Sequence, residues 1–270
     1  MSELSDVQDE AVVMDAAQAV AALPPTGAGR GPLRATQAVT GGALTALVAT
    51  GVNGVAFGAG LALGAQVGLR AGLWAQPRPM PHQMARWLEH PWRLSYRHPG
   101  ALAAGLDLFA GMRVGDLGCG SGLFTGEMAR LVGAQGQVHA VDCQAQLLAR
   151  ARSKVDGAGL GARVRFHQCG IHQMPLPDDA LDVAVMVAVI GELPAREAAL
   201  EEVRRVLRPG GRLVVSEELP DPAYAPALLV RRWATAVGFR PAGSLGTPFC
   251  YRAIFINDKG SVVKGSVVGR

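Results

Sequence analysis

Hydrophobic positions along the chain follow three successive rhythms. Up to residue 34, short apolar runs sit among acids, and an alanine-rich opening predicts a helix to about Val20. Leu23-Pro24-Pro25-Thr26-Gly27 breaks it. From Ala35 to Leu69 no charged residue occurs. Within that stretch, Val39–Leu69 is long enough to cross about 30 Å of hydrocarbon as a helix. Residues 77–100 form a proline-punctuated, amphipathic segment carrying Trp87, Trp92 and Tyr96. Such a segment suits a membrane–water interface or a helical lid over a pocket.

From residue 101 onward, short apolar runs alternate with amphipathic ones. The pattern predicts a helix at Ala101–Phe109, a strand at Arg113–Leu117 and a helix opened by Gly122 that runs to Leu131. A strand at Gln137–Val141, a helix at Gln144–Lys154 and strands at Val164–Gln168 and Asp182–Val187 follow. A helix at Ala195–Val206 ends at Arg208-Pro209-Gly210-Gly211, a helix-stop signal. Then come a strand at Arg212–Ser216, a helix at Pro226–Val237 and a last strand at Cys250–Ile256. Repeated β-α units with short apolar strands imply an α/β, Rossmann-like, doubly wound and mostly parallel sheet. The expected organisation is an acidic tail (1–34), a hydrophobic glycine-rich segment (35–76), the amphipathic segment (77–100), the α/β domain (101–258) and a tail (259–270). The tail repeats Gly-Ser-Val-Val, and no role follows from that.

Composition narrows this picture. Apolar residues make up 49% and charged ones 18%, with a mean hydropathy of +0.21, so a wholly disordered chain is excluded. The net charge of +4 and pI near 9.1 hint at nucleic acid, but aromatics are only 5% and no basic stripe is visible. No nucleic-acid partner is therefore expected. Cys119, Cys143, Cys169 and Cys250 are too scattered for a zinc site or a disulfide framework. No metal is expected. Glu3, Asp6, Asp9, Glu10 and Asp15 argue against a basic leader peptide. Arg70, Arg78, Arg86, Arg93 and Arg97 follow the apolar span, which places its C-terminal side, with the α/β domain, in the cytoplasm. Gly60, Gly64 and Gly68 recur every fourth residue, a spacing that lets two membrane helices pair into a homodimer. The alternatives are a glycine-rich hairpin packed on the domain, or a linker.

The strongest local signal is Val114-Gly-Asp-Leu-Gly-Cys-Gly-Ser-Gly122. A strand runs into glycines spaced two apart, where missing side chains let a ligand reach the backbone. Asp116 stands near the strand end, suited to a cationic ligand group. Asp142, at the tip of the second strand, can accept hydrogen bonds from two ribose hydroxyls. A nicotinamide fingerprint would place the third glycine three positions after the second, where this chain has Leu123.

With these residues the sequence resembles the class I S-adenosylmethionine-dependent methyltransferases over about 100–256, nearest the branch with quinone and lipid methyltransferases. Asp116, Gly118, Gly120 and Gly122 stand in the places of the family's first motif, and Asp142 in that of its ribose-binding acid. The run from Met174 to Glu218, with its Leu-Arg-Pro-Gly-Gly turn at 207–211, resembles the family's fourth and fifth strands. The resemblance implies a seven-stranded sheet and S-adenosylmethionine as cofactor. It also implies a binding set completed by Cys119, Ser121, Cys143, Gly170, Ile171 and Met186. One departure stands out. Where relatives carry Gly-Asp-Ala, this chain has Cys169-Gly170-Ile171, so the adenine-binding carboxylate is missing.

Methyl transfer from a sulfonium relies on alignment, with a base needed for phenol, enol or amine acceptors. Glu192 and His98 are the candidate bases, with His172 and Tyr96 weaker ones, and Tyr96 is also a candidate substrate contact. Glu192 could equally cap the next helix, and His98 could be a surface residue. Glu217 and Glu218 read as a solvated strand end, with lining of the pocket as the alternative. The expected activity is methylation of a small or lipophilic acceptor, quinone-like or lipid. The alternatives are a membrane-tethered module that binds the cofactor without catalysis, or a nicotinamide-dependent oxidoreductase.

Overall fold

The computed structural model describes residues 64–259. The tails at 1–34 and 260–270, and most of the apolar span, lie outside the described residues. Residues 64–75 form helix α1, whose positions 64–69 are exposed. Over that stretch the span does not pack on the domain as a buried hairpin would. At its C-terminal end, Trp74 meets Trp233 at a ring-centroid distance of 6.2 Å, and the Arg70 guanidinium donates to the Leu219 carbonyl. No helix among the described residues is long and apolar enough to cross a membrane.

Three short helices follow: α2 (Ala85–Leu88), α3 (Pro91–Tyr96) and α4 (Pro99–Ala104). Two His-Pro pairs set the starts of α3 and α4. His90 and His98 each accept a backbone N–H through the ring, from Trp92 and Gly100, and the proline occupies the first helical turn. Helix α4 stops at Gly105, short of the expected Phe109. Asp107, at a φ of 49°, has already left helical geometry.

The α/β unit runs β1 (Arg113–Leu117), α5 (Thr125–Leu131), β2 (Gln137–Asp142), α6 (Ala145–Gly157), β3 (Val164–Gln168), β4 (Leu181–Val187), α7 (Arg196–Val206), β5 (Leu207–Glu218), α8 (Ala227–Ala236), β6 (Phe239–Thr247) and β7 (Cys250–Asn257). The sheet order is β3-β2-β1-β4-β5-β7-β6. Strands β1 to β5 pair in parallel, while β7 runs antiparallel to both β5 and β6. One face buries Leu102, Met128, Leu148 and Val155 from α4, α5 and α6; the other buries Leu200, Val203 and Val230 from α7 and α8. Burying each such side chain contributes roughly 1.5–3 kcal/mol.

Three further elements differ from the sequence reading. Helix α5 begins at Thr125 because Gly118, Gly120 and Gly122 hold positive φ and form a turn. Leu207–Gly211 belongs to β5: Leu207 already pairs with Leu181 before the register shifts. Strand β6 has no alternating pattern to find. Beyond Phe239 it is exposed along its length and contains Pro241, Gly243 and Gly246, as an edge strand can.

Candidate active site

Strand order reverses between β1 and β4, and in open α/β sheets the ligand crevice opens beyond the strand ends at that switch point. Here it is a cleft of about 270 Å³. The glycine loop forms its floor. The Gly118 and Cys119 amides donate to the Val141 carbonyl at 2.8 and 3.0 Å, which ties the loop to β2. A Cβ at Gly118 would lie 2.6 Å from the Val189 side chain, and one at Gly122 would lie 2.8 Å from the Ala151 Cα on α6. Ala188 opposite has a φ of 55°, a strained turn that ends β4 and carries Val189 over the loop.

Two acids stand at the ends of β1 and β2. Asp116 is buried and accepts from Thr125 Oγ1 at 2.6 Å; burial lifts its pKa to about 6. Asp142 accepts from the Gly120 amide at 2.9 Å and from the Gln144 amide at 2.8 Å. Burial raises its pKa too, against the pull of those amides. The second-strand acid thus shapes the glycine loop as well as facing the cleft.

Glu192 lies across the cleft. Burial, with Asp221 and Asp142 as like-charged neighbours, pushes its pKa up to about 8. Its carboxylate accepts from the Met80 amide at 3.0 Å, and the Met80 carbonyl accepts from Gln144 Nε2 at 2.8 Å. Segment 79–80 is thereby pinned across the cleft from both sides. Glu192 makes no cap on α7, whose N-terminus has no side-chain hydrogen bond.

Of the residues singled out from sequence, Ser121, Cys143, Gly170, Ile171 and His172 also line this cleft. Cys119 does too, and burial pushes its thiol well above the usual range. Three do not reach the cleft. Met186 is fully buried in the core, because alternation along β4 turns it into the sheet face under α7. His98 spends its Nδ1 capping α4 and lines a second cavity. Tyr96 lines that second cavity as well, with its ring edge-on to Trp92. Glu217 and Glu218 are not a solvated strand end but 1% and 2% exposed. Glu218 pairs with Arg93 at 2.5 Å and lies 3.6 Å from Arg97. Sequence reasoning missed Asp221 and Arg93, both on the cleft wall. Asp221 follows a strand end, a signal that was available; Arg93 comes from a separate segment and had none.

A family model described as a methyltransferase domain matches residues 108–228. Those residues are a domain of the class I, S-adenosylmethionine-dependent methyltransferase family. The chain is similar to ubiquinone/menaquinone biosynthesis C-methyltransferases. It is 37% identical to that of Vibrio campbellii over 107 residues, 40% of this chain and 41% of the relative. Against that of Cellvibrio japonicus it is 35% identical, over 40% of this chain and 43% of the relative. The chain thus spans less than half the length of these curated relatives. Among solved structures, a SAM-dependent methyltransferase from Aquifex aeolicus superposes with a TM-score of 0.61 at 25% identity, covering 66% of this chain and 99% of that one. The [4+2]-cyclase SpnF shares the fold at a TM-score of 0.52 and 23% identity, over 63% of this chain and 65% of that one.

Proposed function

We propose that this chain transfers a methyl group from S-adenosylmethionine to a small, lipophilic acceptor, a quinone-like ring before a lipid. The observation that carries the reading is the cleft itself: a glycine loop with no room for a Cβ at Gly118 or Gly122, flanked by two buried acids, at the sheet's switch point. These residues fit the cofactor. Asp116 is a buried acid suited to a cationic group, and Asp142 keeps lone pairs for ribose hydroxyls beyond its two amide bonds. Gly170 and Ile171 offer backbone and an apolar side chain to an adenine ring in place of the missing carboxylate. The cofactor supplies an electrophilic methyl carbon. The chain aligns the acceptor and handles its proton, and Glu192 is the group placed to take it.

The acceptor class rests on the wall chemistry. Leu123, Phe124, Leu147, Val189 and Leu193 make the cleft largely apolar, and the named relatives act in quinone biosynthesis. The apolar span 39–69 extends this reading to a membrane-anchored enzyme. Its α/β domain then lies on the cytoplasmic side, and the glycine spacing at 60, 64 and 68 favours pairing of two copies.

Calorimetry on the full chain tests the cofactor. Adenosylmethionine and adenosylhomocysteine should bind and NAD should not. Asp142→Ala should weaken binding at least tenfold, since each charge-assisted hydrogen bond contributes about 1.5–3 kcal/mol. Tight NAD binding, or an unaffected Asp142→Ala variant, would overturn the assignment.

A further inference from the structure

A second cavity, of about 220 Å³, lies between α3–α4 and the β6–β7 hairpin. Its walls include Arg97, His98, Ser216, Cys250 and Arg252, and no carboxylate lines it among the described residues. Arg97 is only 4% exposed. Its guanidinium donates to Ser216 Oγ at 2.8 Å, to the Glu217 carbonyl at 3.4 Å and to Cys250 Sγ at 3.2 Å. Its Nε is buried without a hydrogen-bond partner, 3.6 Å from Glu218 Oε2, while Arg93 holds the other oxygen, Oε1, of the same carboxylate. Arg252 donates to the Gly105 carbonyl, and its Nε is likewise buried and unpartnered. The His98 Nδ1 accepts from Gly100, which leaves Nε2 as an N–H donor.

Positive charge here exceeds what the surrounding acids offset. Glu218 serves both Arg93 and Arg97, and Asp107, the acid near Arg252, also faces Arg212 at 3.4 Å. Burial lowers the pKa of Arg252, and the neighbouring Arg97 charge lowers it further. Glu217 does not compensate, because burial pushes its pKa up to about 8. Buried guanidinium N–H groups without acceptors are costly, and a planar fork of donors matches an oxyanion.

We propose that this cavity is a binding site for a phosphate group, separate from the cofactor cleft. The Arg93–Glu218–Arg97 bridge stands between the two. The mouth is apolar: Leu245 and Tyr96 line it and are 59% and 40% exposed. The phosphate therefore belongs either to free inorganic phosphate or to an ester with an apolar body, such as a lipid headgroup.

Calorimetry on the full chain at constant ionic strength tests this, with inorganic phosphate and a soluble short-chain phosphatidate as probes and chloride as the control. Saturable binding of either probe is expected, weakened at least tenfold in Arg252→Gln. Leu245→Asp, at an exposed rim position, should weaken it as well by placing a carboxylate at the mouth without disturbing the core. Circular dichroism melts report whether each variant remains folded. Phosphatidate binding alone assigns the site to a headgroup; binding of both assigns it to the phosphate itself. Absence of saturable binding by both probes, or unchanged affinity in the folded variants, overturns the proposal.

Discussion

Glu192 shows how one side chain changes character between sequence and structure. Between Gly191 and Leu193 it reads as an ordinary acid before a helix. In the fold it faces the cleft with its pKa pushed up to about 8, burial being the main cause. Below that value it holds its proton and cannot act as a base. If it deprotonates the acceptor, kcat/KM in the wild type should climb as pH rises and level off above about 8. Glu192→Gln should lower kcat by roughly 10²–10⁴ and flatten the climb. A pH–rate profile shared by wild type and variant would remove Glu192 from the chemistry. Glu217 and Glu218 carry the same lesson with a structural outcome. Their burial is tolerable because burial raises the pKa of Glu217 to about 8 and Glu218 pairs with Arg93 and Arg97. Breaking such a buried pair from one side costs about 3–5 kcal/mol.

At the scale of elements, the glycine loop joins β1 to α5 and separates two kinds of constraint. Gly122 packs on α6, where an added Cβ meets the Ala151 backbone. Gly120 combines a φ of 55° with a place on the cleft floor. Gly122→Val should therefore lower the melting midpoint, because α6 must move. Gly120→Val should keep the fold and lose adenosylmethionine binding. Thermal denaturation and calorimetry on both variants check the pair. Retained binding in Gly120→Val would make the loop a tight turn and nothing more. Helices α2 to α4 belong to the same scale. They are short, and α3 and α4 start at prolines; Met80, just before them, and Arg93, within α3, are held at the cleft by partners far away in the sequence.

For the whole molecule, the decisive feature is how the apolar segment relates to the α/β domain. An active site held at a membrane by the 39–69 span would meet lipophilic acceptors without their crossing water. Exposed Trp87 and Trp92, 68% and 62% accessible, are suited to that interface. In fractionation, the full chain should stay with membranes after alkaline carbonate washing. Release into the supernatant without detergent would remove the span, and with it the main argument for a lipophilic acceptor beyond the walls of the cleft.

What the sequence determined by itself is what local chemistry encodes. Strands β1 and β3 are legible to the residue, and α6 and α7 to within a few, because buried strands and one-sided helices leave periodic patterns. The glycine spacing with Asp116 and Asp142 placed the cleft, since chain geometry brings those strand ends together in any doubly wound sheet. Tertiary structure alone decided the rest. Strand β6 leaves no pattern because its surface is not buried. His98 turns to a second cavity and Met186 turns inward because helix capping and strand alternation fix their directions, and Tyr96 lines that same cavity. Arg93 and Arg97 find Glu218, and Met80 finds Glu192, across more than a hundred residues of chain. A pairing at that separation is set by how the layers close on one another, and no local rhythm of residues records it.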